Sequence, residues 1–89
     1  MPIEEFPKLK VGQTALLRAE NNTGFVLDEE CEKAVNSSQN VYTIFENTED
    51  AILFARVIVS GKENTECVIY NHIQEPLFFI TTQNIDSFK

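Results

Sequence analysis

Few side chains in this sequence have the types and spacing that enzymatic or metal chemistry requires. Cys31 and Cys67 are 36 positions apart and are the only two cysteines, so zinc-ribbon and redox-pair spacings are excluded. His72 is the only histidine, and Glu75 follows it closely enough to form an acid–base pair. Because a loop histidine near a carboxylate is common without catalysis, we expect no enzymatic role for this pair.

Other motif classes are also missing from the sequence. Gly12, Gly24 and Gly61 are too scattered to form a phosphate loop or a dinucleotide fingerprint. The acids from Asp28 to Glu32 lack the alternating spacing and the glycine of a calcium loop. The sequence therefore predicts no catalytic, metal or cofactor site, and we expect a non-catalytic protein.

Negative charge is concentrated in one part of the chain. Residues 20–50 contain eight acids and one base, and they supply the whole net charge of −7. Such a chain repels phosphate backbones, so nucleic acid is not an expected partner. The simplest interpretation is that these acids keep a small domain soluble. The alternative is an acidic patch that binds a basic protein, formed by Asp28, Glu29, Glu30 and Glu32.

A helix over residues 48–60 is the clearest predicted element. Asn47 or Thr48 is suited to cap its first turn, and Gly61 is suited to end it. The apolar positions that share one arc predict a helix lying on a sheet, with Phe54 and Ile58 in the core. These positions are Ala51, Ile52, Phe54, Ala55, Ile58 and Val59.

Three predicted strands surround this helix. Residues 41–45 precede it, and residues 65–71 and 76–82 follow it, with Pro76 at the start of the last strand. The connection between the last two strands favours an antiparallel hairpin, whereas the first two are expected to run parallel through the helix. The fold class is therefore α+β, with a small mixed sheet built on a β-α-β-β block.

The N-terminal half is expected to add two smaller elements to the same domain, which spans residues 1–89. Residues 14–20 have the composition of a helix, but the turn-forming residues 21–24 that follow also suit a hairpin, which is the interpretation we favour. Residues 28–36 have the pattern of a second short helix that begins at Asp28.

The apolar residues exceed what a single helix covers. Leu53 and Val57 lie opposite the core arc of the helix. Both faces of the hairpin over 65–82 are apolar. Because a single helix covers only one face of a sheet, one apolar face of the hairpin is left open. We expect a second copy of the chain to cover at least one of these surfaces, with Leu53, Val57, Tyr70 and Phe78 as candidate interface residues.

A monomer is the alternative, in which the N-terminal hairpin covers the open face of the sheet. The open face is expected to consist either of Val68, Tyr70, Phe78 and Ile80 or of the residues that alternate with them. The hairpin would cover that face through Leu16, Leu17 and Phe25.

The predicted function is protein–protein interaction by a small acidic homodimer. The alternative is an acidic inhibitor or immunity-type protein that caps a basic site on a partner. The N-terminus has no pattern of a secretion signal, and no apolar run is long enough to cross a bilayer, so a cytoplasmic location without membrane binding is expected.

Overall fold

The computed structural model describes residues 6–21, 23–30, 32–34, 40–62 and 64–85. Within these residues one helix packs against a five-stranded sheet, which confirms the α+β class. In chain order the elements are β1 (Thr14–Glu20), β2 (Val26–Leu27), β3 (Tyr42–Phe45), α1 (Thr48–Gly61), β4 (Thr65–Tyr70) and β5 (Pro76–Ile80).

Strand β1 forms the centre of the sheet. One of its edges pairs with β4, and β5 continues the sheet beyond β4. Its other edge is shared, because β3 pairs with residues 14–17 and β2 pairs with Arg18 and Ala19. The segment that resembled a helix in composition is thus a strand, because pairing along both edges outweighs weak intrinsic propensity.

The predicted N-terminal hairpin is confirmed. Gly24 has a φ of +77°, a left-handed angle that glycine adopts without strain, and its amide donates to the Glu20 carbonyl over 2.7 Å. The Glu20 amide donates in turn to the Phe25 carbonyl over 2.8 Å, which closes the turn and directs β2 back along β1. The hairpin is part of the sheet, so the alternative in which it folds over the open face is wrong.

The prediction of a mixed sheet is wrong. Every strand pairing among the described residues is antiparallel. Because β3 and β4 are each antiparallel to β1, they run in the same direction, but β1 lies between them. The two strands joined by α1 are therefore parallel in direction without being neighbours.

The helix expected over residues 28–36 is absent from the part of that segment that the structure describes. The Asp28 Oδ1 atom accepts from the backbone amides of Glu30 and Glu32, over 2.9 and 3.0 Å. Leu27 forms an isolated antiparallel bridge with Lys33, so the chain reverses here. The acids after Asp28 form a side-chain-stabilised loop because the cap hydrogen bonds compete with helical ones. Residues 31, 35 and 36 lie outside the described residues.

Helix α1 begins and ends close to the predicted positions. The Asn47 Oδ1 atom accepts from the Asp50 amide over 2.8 Å, as an N-cap does, and the helix ends at Gly61. Ala51, Ala55 and Val59 are its fully buried residues. Against them packs a core from the facing strands, made of Leu16, Cys67, Ile69 and Ile80.

Phe54 and Ile58, the two helix residues predicted to lie in the core, differ in burial. Ile58 is half-buried and packs against the core cluster, whereas Phe54 is 39% exposed. Three smaller side chains make the closest contact, which brings the helix near the sheet and turns Phe54 towards the edge of the contact. The Phe54 ring lies against Phe45, with ring centroids 5.3 Å apart.

None of the helices in the described ranges has the length and apolar character needed to cross a membrane.

Candidate interaction surfaces

Two apolar surfaces lie on opposite sides of a thin molecule. The Cα atoms extend over 35 × 32 × 18 Å, which fits one helical layer on one sheet. The helix covers one face of the sheet, so the other face of the sheet and the outer side of the helix both point away from the core. Each surface has to be judged by its own residues and charges.

The first surface, here called the sheet surface, is the sheet face away from α1. Ile44 is 47% exposed on it, Leu77 is also exposed, and Phe79 is 52% exposed. Strand register places the half-buried Leu17 and Val68 between Tyr42 and Phe79 in one cross-strand row. Among the residues of the five strands, Glu66 is the only charged residue on this face.

Phe6 lies over the middle of the sheet surface. Its ring meets Tyr42 and Tyr70 edge-on, with centroid separations of 5.3 and 5.7 Å. These two tyrosines lie on either side of β1 and Ala15 lies in the row of Tyr70, and Ala15 is fully buried. The Phe6 ring therefore connects the two tyrosines across β1 and adds apolar area to the middle of this surface.

The second surface, here called the helix ridge, consists of Leu53, Phe54 and Val57. Leu53 is 55% exposed and Val57 is 72% exposed, and they lie one turn apart at the centre of the outer side of α1. The prediction that both residues lie outside the core arc is confirmed.

The ends of the helix ridge differ in charge. Glu49 and Asp50 are exposed in the first turn, four and three positions before Leu53, so they adjoin it on the helix surface. Glu46 precedes the helix, and its carboxylate accepts from the Gln13 side-chain amide over 2.9 Å. Arg56 lies beside the ridge and Lys62 follows its other end.

The four predicted interface residues do not form one surface. Leu53 and Val57 belong to the helix ridge, whereas Tyr70 is half-buried under Phe6 on the opposite side of the molecule. The prediction that Phe78 is an interface residue is wrong, because Phe78 packs against the core on the helix side of the sheet.

The reason for the Phe78 correction is strand register. The pairs Val68–Phe79 and Ile69–Phe78 place Phe79, not Phe78, on the same face as Val68. Ile80 pairs with Cys67 and is likewise buried on the helix side. A register shift between Ile69 and Tyr70 sets this alignment, and alternation within each strand does not reveal it.

The predicted acidic patch lies in the loop stabilised by Asp28. Carboxylate oxygens of Asp28, Glu30 and Glu32 lie within 4.8 Å of one another. Asp28 is buried and stabilises the loop, whereas Glu29, Glu30 and Glu32 are exposed. Carboxylates in this arrangement are of the type that hard cations bind, but exposed acidic groups also cluster without an ion.

The reactive side chains of Cys67 and His72 lie in separate parts of the fold. Cys67 is fully buried in the core, and Cys31 lies outside the described residues. His72 is half-buried in the loop between β4 and β5, where the Glu75 carboxylate accepts from the Asn71 side-chain amide over 3.1 Å. The Asn71 Oδ1 atom accepts from the amides of Ile73 and Glu75, so this loop is organised around Asn71.

Sequence reasoning missed three residues of the sheet surface, namely Phe6, Ile44 and Phe79. Successive residues of β3 and β5 point to opposite faces of the sheet. A prediction of the register between β4 and β5 would therefore have identified Phe79 as the outward residue. No local signal relates Phe6 to Tyr42 and Tyr70, which are 36 and 64 positions away. Comparison of the chain with protein-family models, with curated proteins and with solved structures finds no match.

Proposed function

We propose that the protein is a small non-catalytic interaction protein that acts as a homodimer through its sheet surface. The observation that carries the proposal is the exposure of Ile44, Leu77 and Phe79 on a sheet face with almost no charge. Each copy has a net charge of −7, so a favourable self-contact needs a face with few acids. The sheet surface meets that requirement better than the acidic end of the helix ridge.

The size of the broad side of the molecule supports the same proposal. A stable interface buries roughly 800 Å² on each partner. The broad side measures 35 × 32 Å between outermost Cα atoms, so a two-fold contact of that size fits on it. Two sheets that pack face to face lie about 10 Å apart, which leaves space for interdigitating side chains such as Phe6 and Phe79.

Sedimentation velocity at micromolar concentration tests the proposal. We expect the wild type to sediment at twice the 10.1 kDa mass of the chain. The variant Ile44→Glu, Phe79→Glu places two negative charges on the sheet surface and should sediment as a monomer. The matched variant Leu53→Glu, Val57→Glu adds the same charge on the opposite side of the molecule and should remain a dimer.

A second sheet variant separates interface disruption from misfolding. The variant Ile44→Thr, Phe79→Thr keeps the β propensity of both positions and removes apolar area. It should therefore fold, but it should dimerise more weakly than the wild type. Far-ultraviolet circular dichroism of all variants checks the fold. A wild type that sediments at 10.1 kDa would contradict the proposal, and a dimer lost only in the Leu53, Val57 variant would place the contact on the helix.

The proposal includes a cytoplasmic location. The sequence has only two cysteines, a low number that suits a reducing compartment where structural disulfides are rare. Because the chain has a net charge of −7 and repels phosphate groups, neither nucleic acid nor an anionic membrane is a proposed partner.

The second candidate function is an acidic inhibitor or immunity-type protein. It is favoured by the three carboxylates that meet within 4.8 Å in the loop after β2. Substituting Glu29, Glu30 and Glu32 with glutamine keeps the loop hydrogen bonds of Asp28 and removes the exposed charge. A basic partner protein that binds the wild type should lose affinity for this variant, and unchanged binding would contradict the inhibitor function.

A further inference from the structure

We infer that the helix ridge is a docking site for an amphipathic helix of a different protein, one with basic residues beside its apolar stripe. The inference starts from Leu53 and Val57, which stand on a helix whose opposite side is anchored in the core. Exposed apolar residues one turn apart on a rigid helix form the ridge that fits between the side chains of a second helix. The small residues Ser60 and Gly61 at the end of α1 allow a close approach.

Charge identifies the chemistry of the partner. The acids Glu49 and Asp50 adjoin the N-terminal end of the ridge, and the whole chain is acidic. Lysine or arginine residues that flank the apolar stripe of the partner would face these carboxylates. Arg56 lies beside the ridge and Lys62 lies beyond its other end, so the partner's basic residues are expected over the first turn of α1.

Geometry favours a different protein over a third copy of this chain. This step rests on the proposed sheet-surface dimer, in which the two ridges point outward on opposite sides. If the ridges also paired with each other, every dimer would add another dimer at each end, and the contact would build an open stack. Repulsion between copies that each carry a charge of −7 opposes such a stack, whereas a basic partner reduces the charge.

A synthetic peptide provides a defined probe for this surface. The peptide forms an amphipathic helix with leucines along one side and lysines on both flanks, and its control carries glutamates in place of the lysines. We expect the lysine peptide to shift the backbone amide resonances of residues 49–61 in the full chain, in a saturable manner. The glutamate peptide should cause no comparable shifts, because its charges face Glu49 and Asp50.

Matched variants distinguish specific docking from general attraction to an acidic protein. Leu53→Gln, Val57→Gln keeps the charge of the chain and should weaken binding of the lysine peptide roughly tenfold or more. Glu49→Gln, Asp50→Gln should also weaken it, whereas Ile44→Gln, Phe79→Gln on the sheet surface should leave the affinity unchanged. Circular dichroism confirms that each variant is folded.

Other results would overturn the inference. Resonance shifts confined to residues 28–34 would assign peptide binding to the acidic loop, and equal affinity in the Leu53, Val57 variant would show that the ridge is not used. A wild-type dimer that becomes monomeric only when the ridge is substituted would make a second copy the occupant. Peptide binding at the ridge of a monomeric protein would support the docking site and contradict the sheet-surface dimer, so the two proposals fail separately.

Discussion

Individual buried polar residues support the hairpins and the edge of the sheet. Arg18 is 2% exposed, and its guanidinium donates to the Val41 carbonyl over 3.3 Å and to the Thr43 hydroxyl. It also lies 5.9 Å from the centre of the Phe54 ring. Arg18 therefore links the central strand to β3 and to the helix, a role that its position in a charged and helix-like segment did not suggest.

Among the acids of the loop after β2, Asp28 should contribute most to the stability of the protein. Asp28→Ala removes the acceptor for the Glu30 and Glu32 amides, and we expect a loss of about 1–3 kcal/mol in the free energy of unfolding. Urea denaturation measures the loss. Asp28→Asn retains a side-chain oxygen and Glu29→Ala alters an exposed residue, so both should stay close to the wild type; equal losses in all three would contradict the assignment.

Phe54 should contribute less to stability than a core residue, although its position in the sequence suggests a core role. Because its ring is 39% exposed, we expect Phe54→Ala to cost about 1–2 kcal/mol. The fully buried Ile69 is the comparison, and Ile69→Ala should cost about 2–5 kcal/mol. Denaturant midpoints for the two variants test this order, and a reversed order would show that α1 is rotated on the sheet.

At the scale of elements, local hydrogen bonds define where the helix and the turns begin. Asn47 caps α1, Gly24 closes the first hairpin, and Asn71 organises the loop between β4 and β5. Each of these residues satisfies backbone groups that would otherwise lack a partner within the element. The elements are thus delimited by residues within five positions of their ends.

The helix cap provides a test at this scale. Asn47→Ala removes the 2.8 Å hydrogen bond to the Asp50 amide and should destabilise the protein by about 1 kcal/mol. Asn47→Ser restores a side-chain acceptor and should recover most of the loss in thermal unfolding. Ser60→Ala, on the exposed side of the last turn, serves as a control for a change in composition alone. If serine and alanine at position 47 were equivalent, the cap would not limit stability.

At the scale of the whole molecule, a two-layer arrangement buries one face of each layer and leaves the other exposed. Leu16, Ala55 and Ile69 fill the space between the layers. On the outside, Phe6 covers only the middle of the sheet, while Ile44 and Phe79 remain open at its sides. The protein is therefore thin, and the sheet surface and the helix ridge lie on its opposite sides and differ in charge.

Dimerisation through the sheet surface should make thermal stability depend on protein concentration. Because only the folded chain forms the dimer, raising the concentration favours the folded state by mass action. We expect Tm to rise by several degrees between low and high micromolar concentrations in scanning calorimetry. The Ile44→Glu, Phe79→Glu variant should show a constant Tm, and a constant Tm for the wild type would contradict the dimer.

The sequence by itself determined the elements that depend on short-range patterns. The α1 helix, the strand that begins at Pro76 and the outward position of Leu53 and Val57 all follow from periodicity and capping within a few residues. The turn that contains Gly24 follows from glycine's tolerance of left-handed backbone angles. For the interaction surfaces, these patterns located the helix ridge and the acidic loop residues, but not their relative placement.

Only the tertiary structure decided which segments become neighbours. The place of β1 between β3 and β4, the register that turns Phe79 outward and Phe78 inward, and the contact of Phe6 with two tyrosines each join distant segments. Their free energies arise from pairings and packing that exist only after the chain has folded. The loop after β2 shows the same limit, because the cap residue and acids that suit a helix stabilise a reversal once Leu27 pairs with Lys33.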